Sequence, residues 1–161
     1  MIFVTVGTQL PFERLVQAMD AWAGNHPGEE IFMQTGETAY QPRHCAFKPH
    51  TRPDEWEDCF GRAALVVSHA GMGTILKSLD QGRPLILMPR LTALGEHRND
   101  HQVATAARFN GFPNIRIVNE PSELVAALDH PPVMTAPVDP CASANFNQLI
   151  GALREFVDGR M

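Results

Sequence analysis

The chain has 161 residues, 44% of them apolar and 19% charged, with a formal net charge of -5. That length fits one domain with a sizeable core, and the composition excludes a disordered chain. The acidic balance argues against a dedicated nucleic-acid binder, yet it allows a diphosphate ligand, which backbone N–H groups hold without net positive charge.

Taken in chain order, apolar runs of β type alternate with segments of helical period. Residues 2–6 read as a buried strand closed by Gly7-Thr8, and this start, MIFVTVGT, lacks the basic region of a signal peptide. A helix is expected from about Pro11, with Phe12, Leu15, Val16, Met19, Trp22 and Ala23 on one stripe, Pro11 in its first turn and Gly24 and Pro27 at its end. Residues 31–34 read as a second strand and 46–48 as a short third. Residues 53–61 look helical, with Trp56 and Phe60 four apart. The run ALVVS at 64–68 is a strand whose continuous apolar character suits a sheet covered on both faces. Further along come a helix at 74–81 ended by Gly82, the strand PLILM at 84–88, a helix at 99–110 and a strand at 115–118. A short helix at 121–128 closes this series. Residues 129–141 contain four prolines and read as an irregular connector, followed by a terminal helix at 142–158 with Phe146, Leu149, Ile150, Leu153, Phe156 and Val157 on one stripe.

Strict alternation of strands and helices predicts an α/β fold: a Rossmann-like open parallel sheet with helices on both faces, in a single domain over 1–161. The three cysteines, Cys45, Cys59 and Cys141, are odd in number and lack CxxC spacing, which fits a reducing compartment rather than a disulfide framework. No run approaches the roughly 18 apolar residues of a membrane span.

Ligands of open α/β sheets bind beyond the carboxyl ends of the strands. Three unusual segments fall there. Gly7-Thr8-Gln9 follows the first strand. The segment Ser68-His69-Ala70-Gly71-Met72-Gly73-Thr74 joins a strand to a helix. There, Gly71 and Gly73 allow close backbone approach, and the Thr74 hydroxyl is placed to cap the helix or bond a phosphate oxygen. The free N–H groups of the helix start suit a diphosphate. On the glycines alone, a tight turn with glycines for packing reads equally well. His69 is a candidate donor to a phosphate oxygen, and a histidine bonding the backbone at a strand end is the alternative. The third segment, PRLTALGEHRNDHQ, gathers Glu96, His97, Arg98, Asn99, Asp100, His101 and Gln102, residue types that bond sugar hydroxyls. Helix capping by Asn99 or Asp100 is the plainer reading of those two. HExxH is absent and the carboxylates lie outside familiar zinc spacings, so no metal is assigned.

Together VTVGT at 4–8, SHAGMGT at 68–74 and EHRNDHQ at 96–102 resemble the C-terminal-domain type of family 28 glycosyltransferases. They are most similar to the small donor-binding subunits of two-subunit transferases that act on lipid-linked oligosaccharides or exopolysaccharides. The resemblance covers nearly the whole chain. It implies the C-terminal half of a GT-B enzyme, the half that binds a UDP-sugar. It places Gly7 and Thr8 near the diphosphate and makes His69, Gly71, Met72, Gly73 and Thr74 the phosphate cradle. Glu96 is then the ribose contact, Asp100 and Gln102, beside Asn99, the sugar contacts, and the Phe47-Lys48 region the uracil edge. It further implies inverting transfer of a hexose or its derivative, such as GlcNAc, glucose or glucuronate, to a lipid-linked saccharide, with no obligatory cofactor. The acceptor-binding half and the general base are expected on a membrane-anchored partner, with this chain cytoplasmic and peripheral to the membrane. A non-catalytic nucleotide-sugar-binding regulatory module is the alternative; a complete epimerase-like enzyme is disfavoured by length.

Overall fold

A computed structural model describes residues 1–138, and the expected terminal helix at 142–158 lies outside them. Six strands form one sheet: β1 (Ile2–Thr5), β2 (Ile31–Gln34), β3 (Ala46–Lys48), β4 (Leu65–Ser68), β5 (Leu85–Leu87) and β6 (Ile115–Ile117). All neighbours pair in parallel, in the order β3-β2-β1-β4-β5-β6. The helices are α1 (Glu13–Asn25), α2 (Pro53–Arg62), α3 (Met72–Gln81), α4 (His101–Arg108) and α5 (Pro121–Asp129). This is the α/β Rossmann-like architecture expected from the alternation of strand and helix patterns.

Side chains alternate across each strand, so one sequence run feeds two cores. Val4, Val67 and Ile86 pack with Leu15, Met19, Trp22 and Leu124 of α1 and α5. Phe3, Val66, Leu85 and Leu87 face the other way, against Phe60 of α2, Ile75 and Leu79 of α3, and Phe109 just after α4. Both faces of the sheet are covered, which is why its strands read as unbroken apolar runs.

Several boundaries differ from the sequence expectation. Helix α1 begins at Glu13, with Phe12 at the N-cap, so Pro11 lies outside the first turn; Gly24 lies within the helix, which ends at Asn25 with His26 as its C-cap. Helix α3 begins at Met72 with Gly71 at its N-cap, so Thr74 is a buried first-turn residue and not the cap. Helix α4 begins only at His101 and ends at Arg108, leaving Asn99 in the preceding loop and Asp100 at the N-cap. Residues 131–138 carry no regular element, and Thr135 N–H and Val138 N–H donate to the carbonyls of Gly82 and Leu79 at the end of α3.

The loop between β2 and β3 is held by Asp20, a polar residue on the buried face of α1. Its carboxylate accepts from Tyr40 Oη at 2.7 Å, Arg43 N at 2.9 Å and His44 N at 2.8 Å, and it has no exposed surface. Burial pushes its pKa up, but the bonds from His44, Tyr40 and Arg43 outweigh that and hold it below the ordinary carboxylate value. A depressed carboxylate pKa adds stability above the unfolded-state value and loses it as pH falls through the folded-state one. Asp20→Ala is expected to cost about 3 kcal/mol, since it strands several buried donors. Urea denaturation at pH 7 and pH 3 checks this. The deficit of the variant should shrink at the lower pH.

Candidate functional site

The strand order reverses beside β1: the chain leaves β1 toward β2 on one side and leaves β4 toward β5 on the other. The connections diverge there, and a crevice opens at the carboxyl ends of β1 and β4. Thr5 and Ser68 are register partners at that edge. A cavity of about 400 Å³ lies there, lined by Thr5, Gly7, His69, Gly71, Gly73 and Thr74 together with Trp56, Glu57 and Lys77. A second, of about 310 Å³, lies beside it; Gly7, Thr8, His69, Gly71, Arg90 and Gln102 are among its lining residues.

The imidazole of His69 is the common wall. A β-carbon built on Gly7 would lie 2.7 Å from its Cε1, and one on Gly71 would lie 2.5 Å from its Nε2. Gly7 also needs its left-handed backbone, with φ of 75°. These two glycines are therefore required by the histidine ring itself. Gly73 differs: a β-carbon there meets nothing within 4 Å, so its bare backbone opens into the cavity. Burial, then the charge of Arg90, lower the His69 pKa to about 4, although its bond with the Thr5 backbone works the other way. At neutral pH the ring is uncharged and offers one N–H and one lone pair.

Arg90 is the residue that the sequence reading passed over. It follows β5, is 2% exposed, and donates to Val6 O at 2.8 Å, to Leu10 O at 2.6 Å and to Pro11 O, with Phe12 beneath it, 4.6 Å from guanidinium carbon to ring centroid. Its own backbone N–H donates to Gln102 Oε1 at 3.1 Å. One guanidinium thus fixes the loop after β1, while its backbone ties in the start of α4. Burial lowers its pKa to about 10 despite the opposing pull of Glu96, so it stays charged at pH 7. At the opposite edge Gln34 plays a similar part. It accepts from Thr5 Oγ1 at 2.8 Å and donates to the carbonyls of Gly7 and Pro49, each at 2.9 Å. No local pattern marks either residue, because the loop and strand groups that they hold, at Val6, Leu10, Thr5 and Gly7, are distant in sequence.

The third segment is split. Gln102 reaches the second cavity. Glu96 lies outside both cavities: its carboxylate takes two bonds of 2.8 Å from Arg14 and one of 2.9 Å from Leu91 N. It bridges α1 to the loop after β5. Asp100 bonds Thr92 N at 3.2 Å rather than capping α4, and Asn99 Oδ1 accepts from His101 N at 3.4 Å. Asp100 and Asn99 are exposed and line neither cavity. Phe47 and Lys48 lie on β3, where Lys48 pairs with Glu55. Among the described residues, no three His, Cys, Asp or Glu side chains converge as a metal site would need.

Residues 1–131 match the sequence model of the glycosyltransferase family 28 C-terminal domain. The chain belongs to that family. It is 37% identical over 90 residues to the UDP-N-acetylglucosamine transferase subunit ALG13 of Eremothecium gossypii, a stretch covering 55% of this chain and 42% of that protein. It is 29% identical over 110 residues to the subunit of the same name from Mus musculus, covering 60% of this chain and 9% of the relative. The matched stretches therefore span less than half the length of these curated relatives. Among solved structures, the solution structure of ALG13 superposes with a TM-score of 0.61 at 18% identity, covering 85% of this chain and 89% of that one. The glycosyltransferase of kitacinnamycin superposes with a TM-score of 0.59 at 19% identity, covering 95% of this chain and 39% of that one. At such identities these two likenesses speak for the fold alone, which matches part of the kitacinnamycin enzyme and most of the ALG13 structure.

Two predictions follow from the geometry of this family 28 site. Gly71→Ala should cost about 2 kcal/mol through overpacking against His69. Gly73→Ala should be neutral or stabilise by up to about 1 kcal/mol, as alanine does in an unobstructed helical position. Urea midpoints of the two variants, measured side by side, decide this. Separately, Arg90→Gln should raise the His69 pKa from about 4 toward its ordinary value, because protonation then no longer meets a neighbouring cation. Titration of the His69 Cε1–H resonance reads the shift, and an unmoved titration would assign the whole depression to burial.

Proposed function

We propose that this chain is the donor-binding subunit of a glycosyltransferase. It transfers a hexose or its derivative, N-acetylglucosamine first among the candidates, from a UDP-sugar to a lipid-linked saccharide with inversion. The observation that carries the reading is the uncovered start of α3 beside a neutral His69, at the strand-order reversal of a family 28 domain. The named relatives, subunits of a UDP-N-acetylglucosamine transferase, favour the donor and the need for a second subunit.

In the proposed reaction an acceptor hydroxyl attacks the anomeric carbon from the face opposite UDP. The new C–O bond forms as the bond to the β-phosphate oxygen breaks, the hydroxyl proton passes to a base, and UDP departs with the electron pair. Negative charge grows on the diphosphate as that bond breaks. The N–H groups and partial positive charge at the start of α3 answer it without reorganising. Gly73, with no side chain, lets the phosphates approach the backbone. The start of α3 supplies positive potential with no metal in the scheme.

The base and the acceptor site are assigned to a membrane-anchored partner. Among the described residues no helix is long and apolar enough to cross a membrane. The cavity at the sheet edge is open, and water in it weakens the stabilisation of a leaving diphosphate. A partner that covers this face would exclude that water. On this reading the chain works at the cytosolic face of the membrane, held there by the partner.

Transfer of radiolabelled N-acetylglucosamine from its UDP ester to lipid-linked saccharide in detergent is the test, run with the chain alone and with membranes of the source cell added. Turnover is expected only in the combined sample. Robust turnover by the purified chain would show the partner to be unnecessary, and no turnover in either sample with any UDP-hexose would sink the transferase reading.

A further inference from the structure

The lining of the 400 Å³ cavity includes a side chain that the donor-binding reading leaves unused. Lys77 lies on α3, four residues beyond Gly73, so the two share a helix face. Helical side chains lean toward the helix N-terminus, and one turn rises about 5.4 Å, a distance that the four methylenes of lysine can bridge. Gly73 puts nothing in the way. The ammonium group rests over the rings of Trp56 and Phe60, at 5.8 and 5.6 Å from their centroids, and pairs with Glu57. Glu57 is 56% exposed, and an ion pair with so exposed a partner contributes little and exchanges readily.

The two cavities that His69 lines contain two permanently cationic side chains, Lys77 and Arg90. Arg90 is committed to backbone carbonyls and is nearly inaccessible. His69 is neutral at pH 7. A nucleoside diphosphate carries more negative charge than the partial charge of one helix end answers, about half an elementary charge. Lys77, by contrast, is paired with a half-exposed carboxylate.

We propose that Lys77 is a diphosphate-binding residue of this site: it leaves Glu57 and pairs with a nucleoside diphosphate held at the start of α3. The inference rests on the donor-binding reading above and adds to it a mobile cation with a resident counter-ion. Glu57 then acts as a competitor, holding the ammonium group aside while the cavity is empty.

The experiment is a titration of the isotope-labelled full chain with UDP and with uridine, followed by amide NMR shifts so that millimolar affinities are read. Lys77→Gln should weaken UDP about tenfold, Lys77→Arg should stay within about threefold of the parent, and uridine affinity should not move in either variant. Glu57→Gln, a surface change, should tighten UDP about two- to threefold. Raising the ionic strength should erode the advantage of the parent over Lys77→Gln. Unchanged UDP affinity in Lys77→Gln overturns the proposal, as does an equal loss for uridine, which would move Lys77 to the nucleoside. A parent chain that binds neither UDP nor uridine overturns the donor-binding reading itself, and the inference falls with it.

Discussion

Right-handed crossovers govern this molecule. Moving from β1 to β2 carries α1 onto one face of the sheet. Moving from β3 across to β4, β5 and β6 carries α2, α3 and α4 onto the other, and α5 returns to the first. Among the described residues, consecutive connections part at the carboxyl edge between β1 and β4. The two cavities that share His69 lie there. The rest of the structure makes the gap rigid: Arg90 fixes one rim through the carbonyls of residues 6–11, and Gln34 fixes the other through Thr5, Gly7 and Pro49.

The electrostatics of the gap are built from fixed groups within a chain of net charge -5. A buried guanidinium and a helix start give the crevice positive potential without a cluster of surface cations. Because Arg90 is satisfied by carbonyl oxygens, its field reaches the crevice even though its hydrogen bonds do not. The depressed pKa of His69 is the mark of that field together with burial.

The strands and most helices were legible because their signals are local. Leu-Val-Val at 65–67 and Leu-Ile-Leu at 85–87 state their burial outright, and the stripe from Phe12 to Ala23 states the face of α1. The strand-to-helix turn at 68–74 was legible as a candidate site, and the structure brings Gly7, His69, Gly71, Gly73 and Thr74 to one cavity. What could not be read was the reason for each residue. Gly71 answers to His69 rather than to a ligand, and Thr74 stands inside the first turn rather than at the cap. Glu96 looked free in the polar run 96–102, yet Arg14, 82 residues earlier, occupies its carboxylate. The sequence assigned no role to Arg90 or Asp20. For Glu96, Arg90 and Asp20 the deciding partners include residues 82, 84 and 20 positions away, beyond any short window of sequence.

The placement of His69 between Gly7 and Gly71 has an evolutionary consequence. The three positions cannot drift independently. While the imidazole is present, any side chain at 71 collides with it; were position 69 to shrink to serine, an alanine at 71 would find room, because its φ of -92° is open to every residue. Position 7 would stay closed, held to glycine by its own left-handed backbone. Substitution at 71 is thus conditional on 69, whereas glycine at 7 is unconditional. Ancestral chains crossing between the two states must change the histidine first, since the reverse order passes through a clash.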